Sequence, residues 1–299
     1  MRKKVGTTLS VLGGFLILVA LLGMFYAPGP LMKTPLDVDQ LTSLSGSGQL
    51  GGETVPVKAF SVTYTDSEKS DDDVVVWVNS SCLVMDEGDI DGCVSADDPE
   101  ERLLSASTDN FASDRYTGLA VNDPKYLPAE AEPHEGLVNK WPFESEKKTY
   151  PYWDALVGDT VDAEYDRTVE VLGLETYVYT VSISDAPIEI AEGVPGTYDD
   201  EKEIWVEPVT GAIVDQSDSQ VRYGEDGEEA LALELSFTDE EVEESVDVAQ
   251  TNANLLVLAT STVPLIGFIV GIPMAIVGIA LLVLGRRKDN ETTTTSEEV

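Results

Sequence analysis

A single histidine and two cysteines are all the imidazole and thiol that this chain of 299 residues contains. A structural zinc site of the usual kind needs four Cys or His ligands, and only Cys82, Cys93 and His134 exist. Nucleophilic catalysis of the serine-histidine type needs a histidine held rigidly between a nucleophile and a carboxylate. His134 sits in "PAEAEPHEG", a Pro- and Glu-rich loop, and reads as a surface residue. There is no G-x-S-x-G and no Gly-rich phosphate loop. Nor is there βαβ alternation or an internal repeat, which speaks against a parallel α/β fold. Among so many acids, no carboxylate pair stands out for glycoside hydrolysis. No enzyme and no cofactor are expected, beyond the calcium reading below.

Basic residues are scarce as well, 18 against 56 acidic. Six of them flank the two long uncharged runs. Arg2, Lys3 and Lys4 precede "VGTTLSVLGGFLILVALLGMFYA" (Val5 to Ala27), and Arg286, Arg287 and Lys288 follow "LLVLATSTVPLIGFIVGIPMAIVGIALLVL" (Leu255 to Leu284). At ~1.5 Å per residue the first run spans roughly 35 Å, enough for a bilayer core. A cleaved signal peptide is the competing reading, but its apolar region is usually shorter and ends in small residues. The second run exceeds the hydrocarbon thickness, so its helix is expected to enter the membrane near Thr260 to Pro264. Basic flanks face the cytoplasm. Both termini are therefore expected inside, in a plasma-membrane protein with a large extracytoplasmic segment. The expected division is 1–4 cytoplasmic, 5–27 membrane helix, 28–237 extracytoplasmic β domain, 238–259 helical stalk, 260–285 membrane helix and 286–299 cytoplasmic tail. The tail "DNETTTTSEEV" is polar and expected to be disordered.

Between residues 31 and 250 lie 52 of the acids and 12 of the bases, a net charge of about −40. Such a segment does not suit nucleic acid or an anionic lipid surface. Its hydrophobic pattern is mostly period two. "VPVKAFSVTY" (Val55 to Tyr64), "VVVWV" (Val74 to Val78), "ETYVYTVSIS" (Glu175 to Ser184), "IWVEPVTGAIV" (Ile204 to Val214) and "ALALELSF" (Ala230 to Phe237) read as strands. The fold class is therefore mainly β, an antiparallel sheet of barrel or sandwich type between two transmembrane helices. "LTSLSGSGQLGG" (41–52) reads as a flexible loop. Thr238 to Glu241 reads as a capping box. The stripe Val242, Val246, Ala249, Ala253 and Leu256 then predicts a long helical stalk leading to the membrane.

Three candidate sites remain. Cys82 and Cys93 are expected to form a disulfide in an oxidising compartment, with free thiols or a metal pair as alternatives. "EGDIDGCVSADD" places Glu87, Asp89, Asp91 and Asp98 near positions 1, 3, 5 and 12 of a calcium loop. Its Glu at position 1, short Asp at position 12 and lack of flanking helices depart from that pattern. Third, "KWPFESEKKTYPYWD" (Lys140 to Asp154) concentrates Trp141, Phe143, Tyr150, Tyr152 and Trp153 in a locally neutral stretch. It predicts an edge hairpin with cross-strand aromatic pairs, serving either as core or as contact with a lipid or envelope partner.

"YAPGPLMKTPLDVD", "DRYTGLAV", "EGLVNKWPFESEKKTYPYWD", "VLGLETYVY" and "IWVEPVTGAIVD" together resemble an actinobacterial family of two-pass envelope proteins. Best known from corynebacteria, it was long filed as a domain of unknown function and carries the corynebacterial porin A label. The resemblance spans nearly the whole chain and brings no catalytic or binding residues with it. From residues and resemblance together, the expected function is binding or organising an envelope component, a lipid in its sharpest form. A porin-like channel subunit is the alternative, and an envelope hydrolase the second.

Overall fold

The computed structural model describes residues 2–86, 88, 90–191 and 193–294. They fall into two compact units, Met1–Met32 with Asn254–Val299, and Lys33–Ala253.

The first unit is a helix hairpin. α1 (Arg2–Phe25) is followed by the single turn α2 (Pro28–Leu31), where Pro28 and Pro30 end the apolar helix. α3 (Asp239–Val257) leads through a π-helical turn, Leu258–Thr262, into α4 (Val263–Thr294). The helical stretches Lys3–Phe25 and Asp239–Leu284 are each long and apolar enough to cross a membrane. α1 and α4 run antiparallel, with Gly6 beside Gly278 at one end and Gly23 beside Pro264 at the other. A Cβ on Gly13 would lie 2.5 Å from the backbone nitrogen of Ala275. Only glycine allows the two backbones to come so close, the usual route to helix association where no hydrophobic force operates. The π turn falls at the expected entry point. Pro264 has no N–H and its ring would crowd the carbonyl of Thr260, so the chain widens by one residue before it. α4 extends through the first part of the tail expected to be disordered; residues 295–299 lie outside the described residues.

The second unit is one antiparallel sheet of ten strands. They are β1 (Asp39–Leu50), β2 (Glu53–Thr65), β3 (Val74–Met85), β4 (Leu103–Asp114), β5 (Tyr150–Asp154), β6 (Asp159–Val171), β7 (Leu174–Ala191), β8 (Val194–Glu207), β9 (Ala212–Gly224) and β10 (Glu229–Phe237). Their spatial order is β4-β3-β2-β1-β10-β9-β8-β7-β6-β5. All five alternating segments lie in strands. The glycine-rich loop expected at 41–52 is instead the strand β1. Its glycines answer a steric need, because a Cβ on Gly46 would lie 1.8 Å from the carbonyl oxygen of Glu234 in β10. That approach leaves no room for any side chain.

The sheet curls into a half-barrel whose edges, β4 and β5, do not pair directly. Residues between them close the gap at one level. Single bridges link Ser113 to Ala120, Leu119 to Leu137 and Leu137 to Tyr152. Hydrogen bonds from Val121 N to Ala112 O (2.8 Å), Ala120 N to Gly136 O (2.8 Å) and Trp153 N to Leu137 O (2.7 Å) carry the ladder across.

α3 packs on the outer face of the sheet. Val242, Val246 and Ala249 rest on Leu174, Trp205 and Val214. The stripe expected to form a free stalk therefore covers the sheet through these turns. Thr238 caps the helix, its Oγ1 accepting from Glu241 N (3.2 Å). The Glu241 carboxylate accepts from Ser43 N of β1 (2.9 Å), tying helix to sheet and completing only half of the expected capping box.

Candidate functional site

Period-two alternation gives the curled sheet a single inner face. On β5–β9 that face carries Tyr150, Tyr152, Val181, Tyr198 and Ile204, covered by Leu137 and Trp141. The aromatic stretch thus sits where the sheet closes. Trp141 is 0 % exposed, its ring centroid 5.1 Å from Tyr179 and 5.6 Å from Tyr152. Phe143 and Tyr150 are also buried, whereas Tyr152 and Trp153 are half-buried. The Tyr150 hydroxyl accepts from Glu146 N (2.9 Å), and the Tyr179 hydroxyl donates to Glu146 O (2.8 Å).

The expected aromatic hairpin does not form. Only Tyr150–Asp154 is a strand, and it pairs with β6. Residues 141–145 instead hydrogen-bond to the β8–β9 turn, Trp141 N to Gly211 O (2.9 Å) and Ser145 N to Pro208 O (2.7 Å). Pro142 has no N–H to continue a ladder. The buried rings pack on one another, Trp141 and Tyr150 both against Tyr179.

Beside them lies a buried charge cluster that no sequence motif marks. The Lys202 ammonium is 3.1 Å from Asp218, 3.2 Å from Asp200 and 3.9 Å from Asp154. Asp200 and Lys202 are two apart on β8, and Lys202 pairs in register with Asp218 of β9, so all three share the inner face. Burial pushes the Asp200 carboxyl up to about 6, the Asp218 charge adding to it and Lys202 opposing. Burial disfavours the Lys202 ammonium, but Asp218, Tyr152 and Asp200 around it more than reverse this. Alternating charges on β8, "DDEKEIW", were the available signal. On β1–β4 the middle of the inner face carries hydroxyls and amides, between buried Val57 and Leu83 on one side and Val75, Trp77 and Phe111 on the other. Asn79 donates to Ser61 and Thr63 (both 2.7 Å), and Ser81 pairs with Ser107 (2.8 Å).

His134 departs most from expectation. Its side chain is 3 % exposed, not a surface loop residue. Nε2 lies 2.9 Å from Asp109 and Nδ1 2.9 Å from the Glu132 carbonyl, while the ring packs 4.7 Å from Trp153 and 5.5 Å from Phe111. These partners form no nucleophile-base-acid arrangement.

Cys82 and Cys93 are joined in a disulfide, Cα to Cα 5.8 Å. Of the calcium-like positions, Glu87 and Asp89 lie outside the described residues. Asp91 is exposed, and Asp98 receives a fork from Arg102 at 2.6 and 2.9 Å. Among the described residues no three acidic, His or Cys side chains converge as metal ligands. A concavity of about 480 Å³ opens between Ala155–Val157 and Pro187–Glu189. None of the five aromatics lines it.

The family model for porin PorA matches residues 5–280. The chain belongs to the porin PorA family. A Corynebacterium amycolatum protein named porin PorA is 25 % identical over 223 residues, covering 61 % of this chain and 58 % of that protein. The chain therefore spans less than two thirds of that relative. Among solved structures, a DUF1329 family protein from Desulfovibrio piger covers 78 % of this chain and 91 % of its own, at 10 % identity and TM-score 0.18. A Rhodopseudomonas blastica porin triple mutant covers 67 % and 99 %, at 10 % identity and TM-score 0.20. At such scores neither structural likeness supports any argument. Family membership overturns the expectation of a lipid-organising domain and agrees better with the porin-like alternative.

Proposed function

We propose that the chain is a channel-forming subunit of the cell envelope, crossing the plasma membrane with α1 and α4. The observation that carries this reading is the match of the porin PorA family over residues 5–280. In this reading the termini are cytoplasmic, and the acidic β domain lies outside, at the mouth of the pore. Helices from several copies line the ion path.

Two features favour helices over the sheet as the conducting element. A membrane β-barrel needs an apolar outward band, yet outward positions of β6 and β8 carry Asp162, Glu164, Glu201 and Glu203. Buried Trp141, Leu137 and Tyr179 also fill the inner face at the closing segment. The domain's charge of about −40 enriches cations near the pore mouth and disfavours anions. The test is reconstitution of the full-length protein in planar bilayers under a potassium chloride gradient. Discrete conductance steps with a reversal potential displaced toward that of potassium are expected. Bilayers that stay silent, or a channel selective for chloride, contradict the reading.

A further inference from the structure

We propose that His134 is a protonated latch, holding the segment between the two sheet edges in place and releasing it as the pH rises. A backbone carbonyl and an ionised carboxylate only accept hydrogen bonds. Both ring nitrogens face such groups at 2.9 Å, the Glu132 carbonyl at Nδ1 and the Asp109 carboxylate at Nε2. The Asp109 side chain is 36 % exposed, so its carboxylate is partly open to solvent. Only an imidazolium donates to both. A neutral ring satisfies one partner and opposes a lone pair to the other.

The position gives this charge a mechanical role. Asp109 and Phe111 belong to edge strand β4, and Trp153 to edge strand β5. His134 touches all three, and its backbone is clamped by Asn122, whose side chain accepts from His134 N (3.0 Å) and donates to His134 O (2.6 Å). The same gap is spanned by the single bridges and backbone hydrogen bonds given above, with Val138 packed beside Val75, Trp77 and Phe111. The charged groups facing the ring are the Asp109 carboxylate of β4 and, more weakly, Glu132 of its own segment; β5 presents the uncharged indole of Trp153. Burial alone would push the ring's pKa down, but the Asp109 hydrogen bond and charge outweigh it and the net direction is upward. A raised folded value means the latch contributes fully below the ordinary histidine range. Its contribution is lost as pH rises through the folded value. The inference does not depend on the channel reading.

Because His134 is the only histidine, isotope labelling of histidine nitrogen in the full-length protein, purified in detergent without a histidine tag, gives one imidazole to follow by NMR. Two protonated nitrogens are expected up to the ordinary histidine value of about 6.5, and one only at higher pH. Over that window amide exchange at Leu137 and Trp153, corrected for its intrinsic pH dependence, should rise by up to about tenfold per pH unit. In His134→Gln that rise should vanish. A ring that loses its proton at or below the ordinary histidine value of about 6.5, or the same rise in His134→Gln, would overturn the proposal. Should His134→Gln fail to fold, Asp109→Asn decides: its ring should lose the proton at lower pH than the wild type, and an unchanged titration would refute the latch.

Discussion

The two halves of the sheet treat their inner faces differently. Across β5–β9 the face is aromatic and ionic. Leu137 and Trp141 cover it, and α3 covers the outer side of β7–β9. Across β1–β4 the middle of the same face carries Ser61, Thr63, Asn79, Ser81 and Ser107, bonded to one another and partly open to solvent. Hydroxyl and amide pairs align strands but bury little apolar area, and each is worth about 1 kcal/mol or less. One continuous ladder thus joins a dense aromatic and ionic core to a face whose middle is a polar band. The apolar clusters of Val57 and Leu83 and of Val75, Trp77 and Phe111 flank that band. The polar band itself should contribute little to the stability of this domain.

Thermal or denaturant unfolding of the full-length protein can break that comparison. Trp141→Ala, at a fully buried ring, should cost about 3–5 kcal/mol. Ser81→Ala, on the polar half, should stay within about 0.5 kcal/mol. Equal losses at the two sites would erase the contrast. A smaller effect is expected from the disulfide, which anchors the β3–β4 loop where Cys82 and Ile90 pack with Phe60. Reduction removes a cross-link across a short loop and should lower stability by about 2–3 kcal/mol, read as a lower midpoint with reductant. Asp200→Asn sharpens the ionic side. The raised carboxyl makes the wild type lose stability from that group as pH climbs from its ordinary value toward about 6. The variant should show a flatter stability profile between about pH 4 and 6, and an unchanged slope would remove Asp200 from the account.

Alternation made β2, β3, β7, β8, β9 and β10 legible, because one buried face imposes period two. β1 was hidden by its composition: glycine and serine signal a loop until a neighbouring backbone is seen to exclude a side chain at Gly46. β6, "DTVDAEYDRTVEV", alternates too, but its acids disguise a strand of the packed half. The α3 stripe was legible, but its destination was not, since periodicity names a buried face without naming its partner. The site was less accessible still. His134 and Asp109 are 25 residues apart and meet only because the edges of the sheet are brought together. The aromatic stretch could be found, but its role as a covering segment depends on turns 60–70 residues away, at Pro208 to Gly211.

In the proposed channel the ions pass between the helices and not through the curled sheet. The single-channel conductance of Ser107→Trp, beside the wild type, tests this most directly. Ser107 is an exposed position on the inner face of β4, across from Ser81. An indole there should leave the unit conductance unchanged if the path runs between helices. A conductance sharply reduced or abolished in a variant that still folds would place the path through the sheet and contradict the account.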